Sequence, residues 1–218
     1  MPTGELRRPG EVIWTIVVAA GSGTRFGGPK QFEMLGDRRV IDWAVTAARE
    51  SSDGVVVVLP PDVAEKEGGV AGGATRSESV RRGLAAVPGN ATIICVHDAA
   101  RPFANEDDFV RVIEAVSVGA DGAVPAIPVA DTIKVVDDTG QVVRTPARGS
   151  LRAVQTPQAF RAEVLRRAHS GLGEGTDDAA LVETEGGKVV VVDGDVLNRK
   201  ITTRDDLEWA RAQQGGEQ

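Results

Sequence analysis

Residues 14–32 read WTIVVAAGSGTRFGGPKQF, an apolar run that passes without a break into a glycine-rich loop carrying Arg25 and Lys30. From Trp14 to Ala20 hardly a polar residue falls on either alternating face, which is how a strand buried on both sides of a parallel sheet reads. In open parallel sheets ligands bind beyond the carboxyl ends of the strands, where this loop lies. Glycines let backbone N–H groups approach phosphate oxygens, and the two cations add formal charge. Neither of the common phosphate loops is present. Lys30 stands between Pro29 and Gln31, which breaks GxxxxGK[ST], and GxGxxG would need glycine where Phe26 stands. A surface turn with two solvated cations is the alternative reading of the loop.

Outward from this stretch, Val55 to Leu59 and Thr92 to Val96 are further strand-length apolar runs. Between them Val40, Ile41, Ala44, Val45 and Ala48 share one helical face, and Val80, Leu84 and Val87 share another. Asn105 is placed to cap a helix whose first turn is Glu106, Asp107 and Asp108. Strands alternating with helices imply βαβ units, hence an α/β fold with a mainly parallel sheet and right-handed crossovers. After Asp121 the rhythm changes. Ala123–Pro128, Thr132–Val136 and Gln141–Thr145 are short extended pieces, and the last two flank DDTG at 137–140. This predicts a β-arm over about 131–150, and a lone hairpin needs something to pack on; a partner subunit is one candidate. Helices are expected at about 161–171, 177–185 and 204–213, with a strand at 188–192 and a cap at Thr203. Residues 1–11 read as a loose tail and 12–214 as a single domain.

Composition narrows the function. The net charge of −7 argues against nucleic acid or an anionic membrane as the main partner. Cys95 is the only cysteine, and His97 and His169 are the only histidines, which leaves no thiolate cage and little for a transition-metal site. No apolar run reaches membrane-spanning length, and the first residues lack the apolar core of a signal peptide. A cytoplasmic enzyme is the expectation.

Two further clusters carry chemistry. GGATRSESV (72–80) sets glycines and hydroxyls at a helix start, suited either to an anion or base edge or to simple capping by Thr75 or Ser77. VHDAARPF (96–103) ends a strand in His97-Asp98, and an Asp there suits Mg²⁺ shared with phosphate oxygens; a turn Asp is the rival reading. His97 and Cys95 read as structural. DTIK (131–134), Arg148, TPQAF (156–160), GTDDA (175–179, with Thr176 as its cap) and NRKIT (198–202) supply further hydroxyls and cations. No Ser/His/Asp or Cys/His set accompanies them. That favours transfer by positioning and electrostatics over covalent catalysis.

Taken in order, AAGSGTRFGGPKQF, GGATRSESV, HDAARPF, DTIK, TPQAF, TDDA and NRKIT resemble the 2-C-methyl-D-erythritol 4-phosphate cytidylyltransferase family, over residues 13–210. The resemblance implies a Rossmann-like nucleotidyltransferase sheet with helices on both faces, and an arm used for dimerisation. It implies that CTP and methylerythritol phosphate, with Mg²⁺ held mainly by the CTP phosphates, give a CDP-alcohol and pyrophosphate. Arg25, Lys30 and Lys200 would then be catalytic. Ala19, Ala20, Gly21, Gly23, Gly72, Gly73, Ser79 and Asp98 would surround the nucleotide, with Asp98 also toward the metal. Arg101, Thr132, Arg148, Thr156 and Thr176 would meet the alcohol substrate, those of the arm across a homodimer interface. The chain departs from the pattern at Leu197, where an acid is frequent, at Val129-Ala130 before DTIK, and in a shorter loop at Gly27-Gly28. Two rivals stay open: a cytidylyltransferase for another polyol phosphate such as ribitol 5-phosphate, and a nucleotide-binding regulator without catalysis.

Overall fold

The computed structural model describes residues 8–171 and 173–215; of the expected tail, residues 1–7 lie outside the described residues. The chain starts with β1 (Ile13–Val18), turns once at Lys30–Phe32, and makes the small ribbon β2 (Met34–Leu35) and β3 (Arg38–Arg39) before α1 (Val40–Ser51). There follow β4 (Gly54–Leu59), a short α2 (Pro61–Ala64), β5 (Val70–Ala71), α3 (Arg76–Ala86), β6 (Ile93–Asp98) and α4 (Glu106–Ser117). The second half comprises β7 (Gly122–Pro128), β8 (Val135–Val136), β9 (Val142–Arg144), β10 (Arg152–Val154), β11 (Gln158–Arg161), α5 (Ala162–Ala168), α6 (Asp178–Thr184), β12 (Val189–Asp193) and α7 (Arg204–Gly215).

The main sheet has eight strands. β6, β1, β4 and β5 run parallel, in that order. β11 joins β6 and β7 antiparallel, β10 continues antiparallel along β7, and β12 lies parallel on the far side of β7. The period of two along β1 sorts its side chains between two cores. Ile13 and Val17 meet Ile41, Ala44 and Ala48 of α1 and Phe109 and Val112 of α4 on one face. Ile16 meets Val80 and Leu84 of α3, Leu165 of α5 and Val182 of α6 on the other. Each buried Val, Leu, Ile or Phe among them contributes about 1.5–3 kcal/mol, against about 0–1 kcal/mol for an exposed ion pair. The layered core therefore sets the fold. Gly83 lets α3 sit close on β1, because a Cβ there would lie 2.7 Å from Ile16 Cγ2.

A third, smaller cluster joins Phe26 of the glycine loop and Leu35 and Val40 to Ile201, Leu207 and Ala210 around α7. It fastens the chain's last segment beneath its first loop. Asn105 caps α4 reciprocally with Asp108, and the carboxylate of Asp206 accepts from the N–H groups of Thr202 and Thr203 at the start of α7.

Three expectations change. TPQAF does not simply precede a helix: Gln158–Arg161 is a strand paired with β6 and β7. The cap of α6 is Asp177, whose carboxylate accepts from Ala180 N–H, rather than Thr176. The arm's strands are shorter than 132–136 and 141–145, since residues 131–134 and 136–145 are exposed and have no core to extend along. Its turn holds as read from the sequence: Asp137 accepts from the N–H groups of Thr139 and Gln141, and Gly140 takes φ +84°.

Candidate active site

β1 pairs with β4 on one side and β6 on the other, and the helices that follow β1 and β5 cover opposite faces. The sheet therefore opens between β1 and β6 at their carboxyl ends. A cleft of about 450 Å³ lies there, lined by Val18–Ser22, Lys30, Gln31, Gly73–Arg76, Ser79, Asp98–Ala100 and Lys200. That volume is in the range of a small-molecule site.

Local chemistry places each cation. Gly23, at φ +67°, bends the loop so that its carbonyl accepts from Phe26 and Gly27 N–H. The Gln31 amide donates to the carbonyls of Ala19 (2.8 Å) and Gly21 (3.2 Å), tying the turn at Lys30 back to the strand end. Arg25 is exposed, but its neighbour Phe26 is buried; Lys200 likewise precedes buried Ile201, and both buried residues belong to the same small cluster. Two cations 175 residues apart in sequence thus share one anchor.

Asp98, at the end of β6, is the carboxylate of the cleft. Its Oδ2 lies 2.5 Å from Lys200 Nζ and its Oδ1 3.4 Å from Arg76 Nε. Its N–H donates to the Thr156 hydroxyl, which also shares a hydrogen bond with His97 Nδ1. Burial alone would raise the Asp98 pKa, but Arg76 and Lys200 overcome it and hold the carboxyl well below its ordinary range. Lys30 shifts down through burial, then through the charges of Lys200 and Arg25. Among the described residues neither Lys30 nor Arg25 forms an ion pair. Three cations, Lys30, Arg76 and Lys200, line the cleft with one carboxylate, which makes it a receptor for a polyanion.

At α3, Thr75 caps the helix, Gly73 N–H donates to the Ser79 hydroxyl and Ala74 N–H to the Glu78 carboxylate. The capping reading of GGATRSESV is thus realised in geometry, while Gly73 and Ser79 also face the cleft. No cluster of three or more His, Cys, Asp or Glu side chains suited to a metal occurs among the described residues. The donor set fits a Mg²⁺ that takes one carboxylate, Asp98, and draws its other ligands from phosphate and water. Leu197 is exposed, and Asp195 accepts from its N–H rather than lining the cleft.

The structure gathers Ala19, Ala20, Gly21, Lys30, Gly73, Ser79, Asp98 and Lys200 in one place. Arg25 and Gly23 stand beyond that lining, on the loop. Gly72 lies behind, donating to Leu59 O at 2.8 Å. Arg101 is spent on the carbonyls of Asn198 (2.7 Å) and Val154 (3.4 Å), Thr156 is buried beneath Asp98, and Thr176 is exposed ahead of α6. Thr132 and Arg148 lie on the arm, where Arg148 donates to Ala130 O. Sequence reasoning gave no role to Gln31, whose partners lie at the start of the same loop, or to Arg76, whose partners Asp98 and Asp178 lie far away in the chain. Nor did it single out Asn198, whose buried amide donates to Thr156 O and braces the last block.

Comparison with known proteins places this geometry. The model of the family described as IspD, 2-C-methyl-D-erythritol 4-phosphate cytidylyltransferase, matches residues 13–214. The chain is 44% identical over 213 residues to the 2-C-methyl-D-erythritol 4-phosphate cytidylyltransferase of Rhodococcus jostii (strain RHA1), covering 92% of this chain and 94% of that one. It is also 44% identical to the bifunctional enzyme IspD/IspF of a Bradyrhizobium species, of which it spans 54% while 88% of this chain is covered. The crystal structure of the corresponding cytidylyltransferase from Thermus thermophilus superposes with a TM-score of 0.78 at 36% identity, covering 92% of this chain and 98% of that one.

Proposed function

The chain belongs to the 2-C-methyl-D-erythritol 4-phosphate cytidylyltransferase family, and we propose that it carries out that family's reaction in the cleft between β1 and β6. It transfers the cytidylyl group of CTP to 2-C-methyl-D-erythritol 4-phosphate, giving 4-diphosphocytidyl-2-C-methyl-D-erythritol and pyrophosphate. The observation that carries the placement is the convergence of Lys30, Arg76 and Lys200 on Asp98 at the strand ends, with Arg25 close enough to depress Lys30. The phosphate of the alcohol attacks the α-phosphorus of CTP, a P–O bond forms to it, and the bond to pyrophosphate breaks. No covalent enzyme intermediate is needed. Lys30, Lys200 and Arg25 stabilise the charge that gathers on the transferred group, the term that dominates such reactions. Ala19–Gly21, Gly73 and Ser79 hold the nucleotide. Asp98 would hold Mg²⁺, which when bound neutralises charge on the triphosphate. Arg101 and Thr156 act from behind the cleft, Arg101 through the carbonyls of Asn198 and Val154 and Thr156 through the Asp98 N–H.

The second substrate is assigned to the arm. Ile133, Val136, Val142 and Val143 are 40–63% exposed, an apolar strip on a hairpin with no core of its own. We read residues 12–214 as one domain whose arm crosses to a second copy, bringing Thr132 and Arg148 to the partner's cleft, in the cytoplasm. Mixing two inactive variants tests this. If Lys30→Ala and Arg148→Ala protomers exchange freely, each mixed dimer regains one intact site, so activity returns to about a quarter of the unaltered enzyme. A mixture no more active than its separate components would show that the arm serves its own subunit.

A further inference from the structure

Behind the Asp98 carboxylate lies a row of alternating charges that the reaction described above does not use. Arg76, the first residue of α3, reaches two carboxylates on different elements. Its Nε is 3.4 Å from Asp98 Oδ1 in the cleft, and its Nη1 is 2.8 Å from Asp178 Oδ2 at the start of α6. The Asp178 side chain is 1% exposed, and its other oxygen lies 2.9 Å from His169 Nε2, a ring equally buried behind α5. We propose that Arg76 is a positioning residue: braced by the buried Asp178–His169 pair, it fixes the Asp98 carboxylate, and through it the Lys200 ammonium, at the floor of the cleft.

A guanidinium has a rigid fork that spans two acceptors, whereas an ammonium is a point charge that satisfies one direction at a time. Asp98 is consequently held on three sides: Arg76 on Oδ1, Lys200 on Oδ2 and Thr156 at its N–H. Lys200 is the more exposed member, with its side chain 39% exposed against 26% for Arg76. When a triphosphate draws Lys200 toward itself, Arg76 is the cation that stays with Asp98 and keeps its direction. Among the described residues Asp178 pairs with Arg76 and His169, and of these two only Arg76 lines the cleft. A residue with a purely structural role would need only Asp178; the contact to Asp98 is what couples this buried row to the chemistry. The inference rests on the assignment of the cleft as the CTP site.

The test separates position from fold. Arg76→Gln alone leaves buried Asp178 without its guanidinium and Asp98 with Lys200 alone, and is expected to lower the melting temperature. Arg76→Gln combined with Asp178→Asn removes the cation together with its buried partner. This double variant is expected to melt within a few degrees of the unaltered protein and to bind CTP by calorimetry within about threefold. Its kcat for pyrophosphate release from CTP and methylerythritol phosphate is nevertheless expected to fall about 10–100-fold, the usual effect of a misplaced catalytic group. Arg76→Lys keeps the charge but cannot span both carboxylates, so its kcat is expected to fall about tenfold. Recovery of both melting temperature and kcat in the double variant would overturn the proposal, as would full kcat in Arg76→Lys or a change confined to KM. Absence of pyrophosphate release by the unaltered enzyme would overturn the assignment of the cleft, and this inference with it.

Discussion

Replacing Lys30 with alanine is expected to lower kcat by about 10²–10³, with KM for CTP changing only a few-fold. Lys30 lines the cleft and forms no ion pair among the described residues. Its substitution therefore removes no contact that holds the fold, and the melting temperature should stay close to that of the unaltered protein. Burial and the neighbouring charges of Lys200 and Arg25 already disfavour its ammonium in the free enzyme. Negative charge arriving in the cleft relieves that strain, most of all when charge concentrates on the transferred group. Interaction that grows toward the transition state appears in kcat rather than in KM. An unchanged kcat in steady-state pyrophosphate assays would remove Lys30 from the chemistry.

The second large effect is expected at Lys200. Its ammonium is paired with Asp98 at 2.5 Å, so Lys200→Ala removes a cation from the transferred group and also frees one oxygen of the cleft's carboxylate. Both consequences oppose binding of a polyanion. The loss in kcat/KM should therefore reach about 10²–10³, with KM for CTP rising as well. Lys200→Arg is a sharper probe. A guanidinium would grip both oxygens of Asp98 and be held there, so charge alone should restore little; kcat about tenfold below the unaltered enzyme is expected. Full activity in Lys200→Arg would mean that only the sign of the charge matters at this position.

How far the molecule could be read from its sequence depended on how local each signal was. β1, β4 and β6 were legible because both of their faces are buried, which leaves an uninterrupted apolar run. The caps at Asn105 and Thr203 were legible because a capping side chain bonds to backbone only three residues away. β10 and β11 were not. They are three and four residues long, carry no clear alternation, and owe their extended form to pairing with β6 and β7, which no window of TPQAF contains. The cap of α6 was read one residue early, at Thr176; Asp, the stronger capping residue, takes the position at Asp177, where its second oxygen also accepts from the Gln158 amide. The candidate site divides in the same way. Asp98 stood out at the end of a strand and Lys30 in the glycine loop that follows β1, whereas the role of Lys200 came from the family resemblance of NRKIT. Arg76 did not stand out, because its meaning lies in Asp98 and Asp178, 22 and 102 residues further on in the chain.

Transfer in this cleft is tested by pyrophosphate release from the purified enzyme with Mg²⁺ and CTP, with and without 2-C-methyl-D-erythritol 4-phosphate, run in parallel for Lys30→Ala. Release by the unaltered enzyme is expected only when both substrates are present, and at least about a hundredfold less is expected from the variant. Release from CTP alone, or equal rates from the two proteins, would contradict a transfer driven by the cations of this cleft.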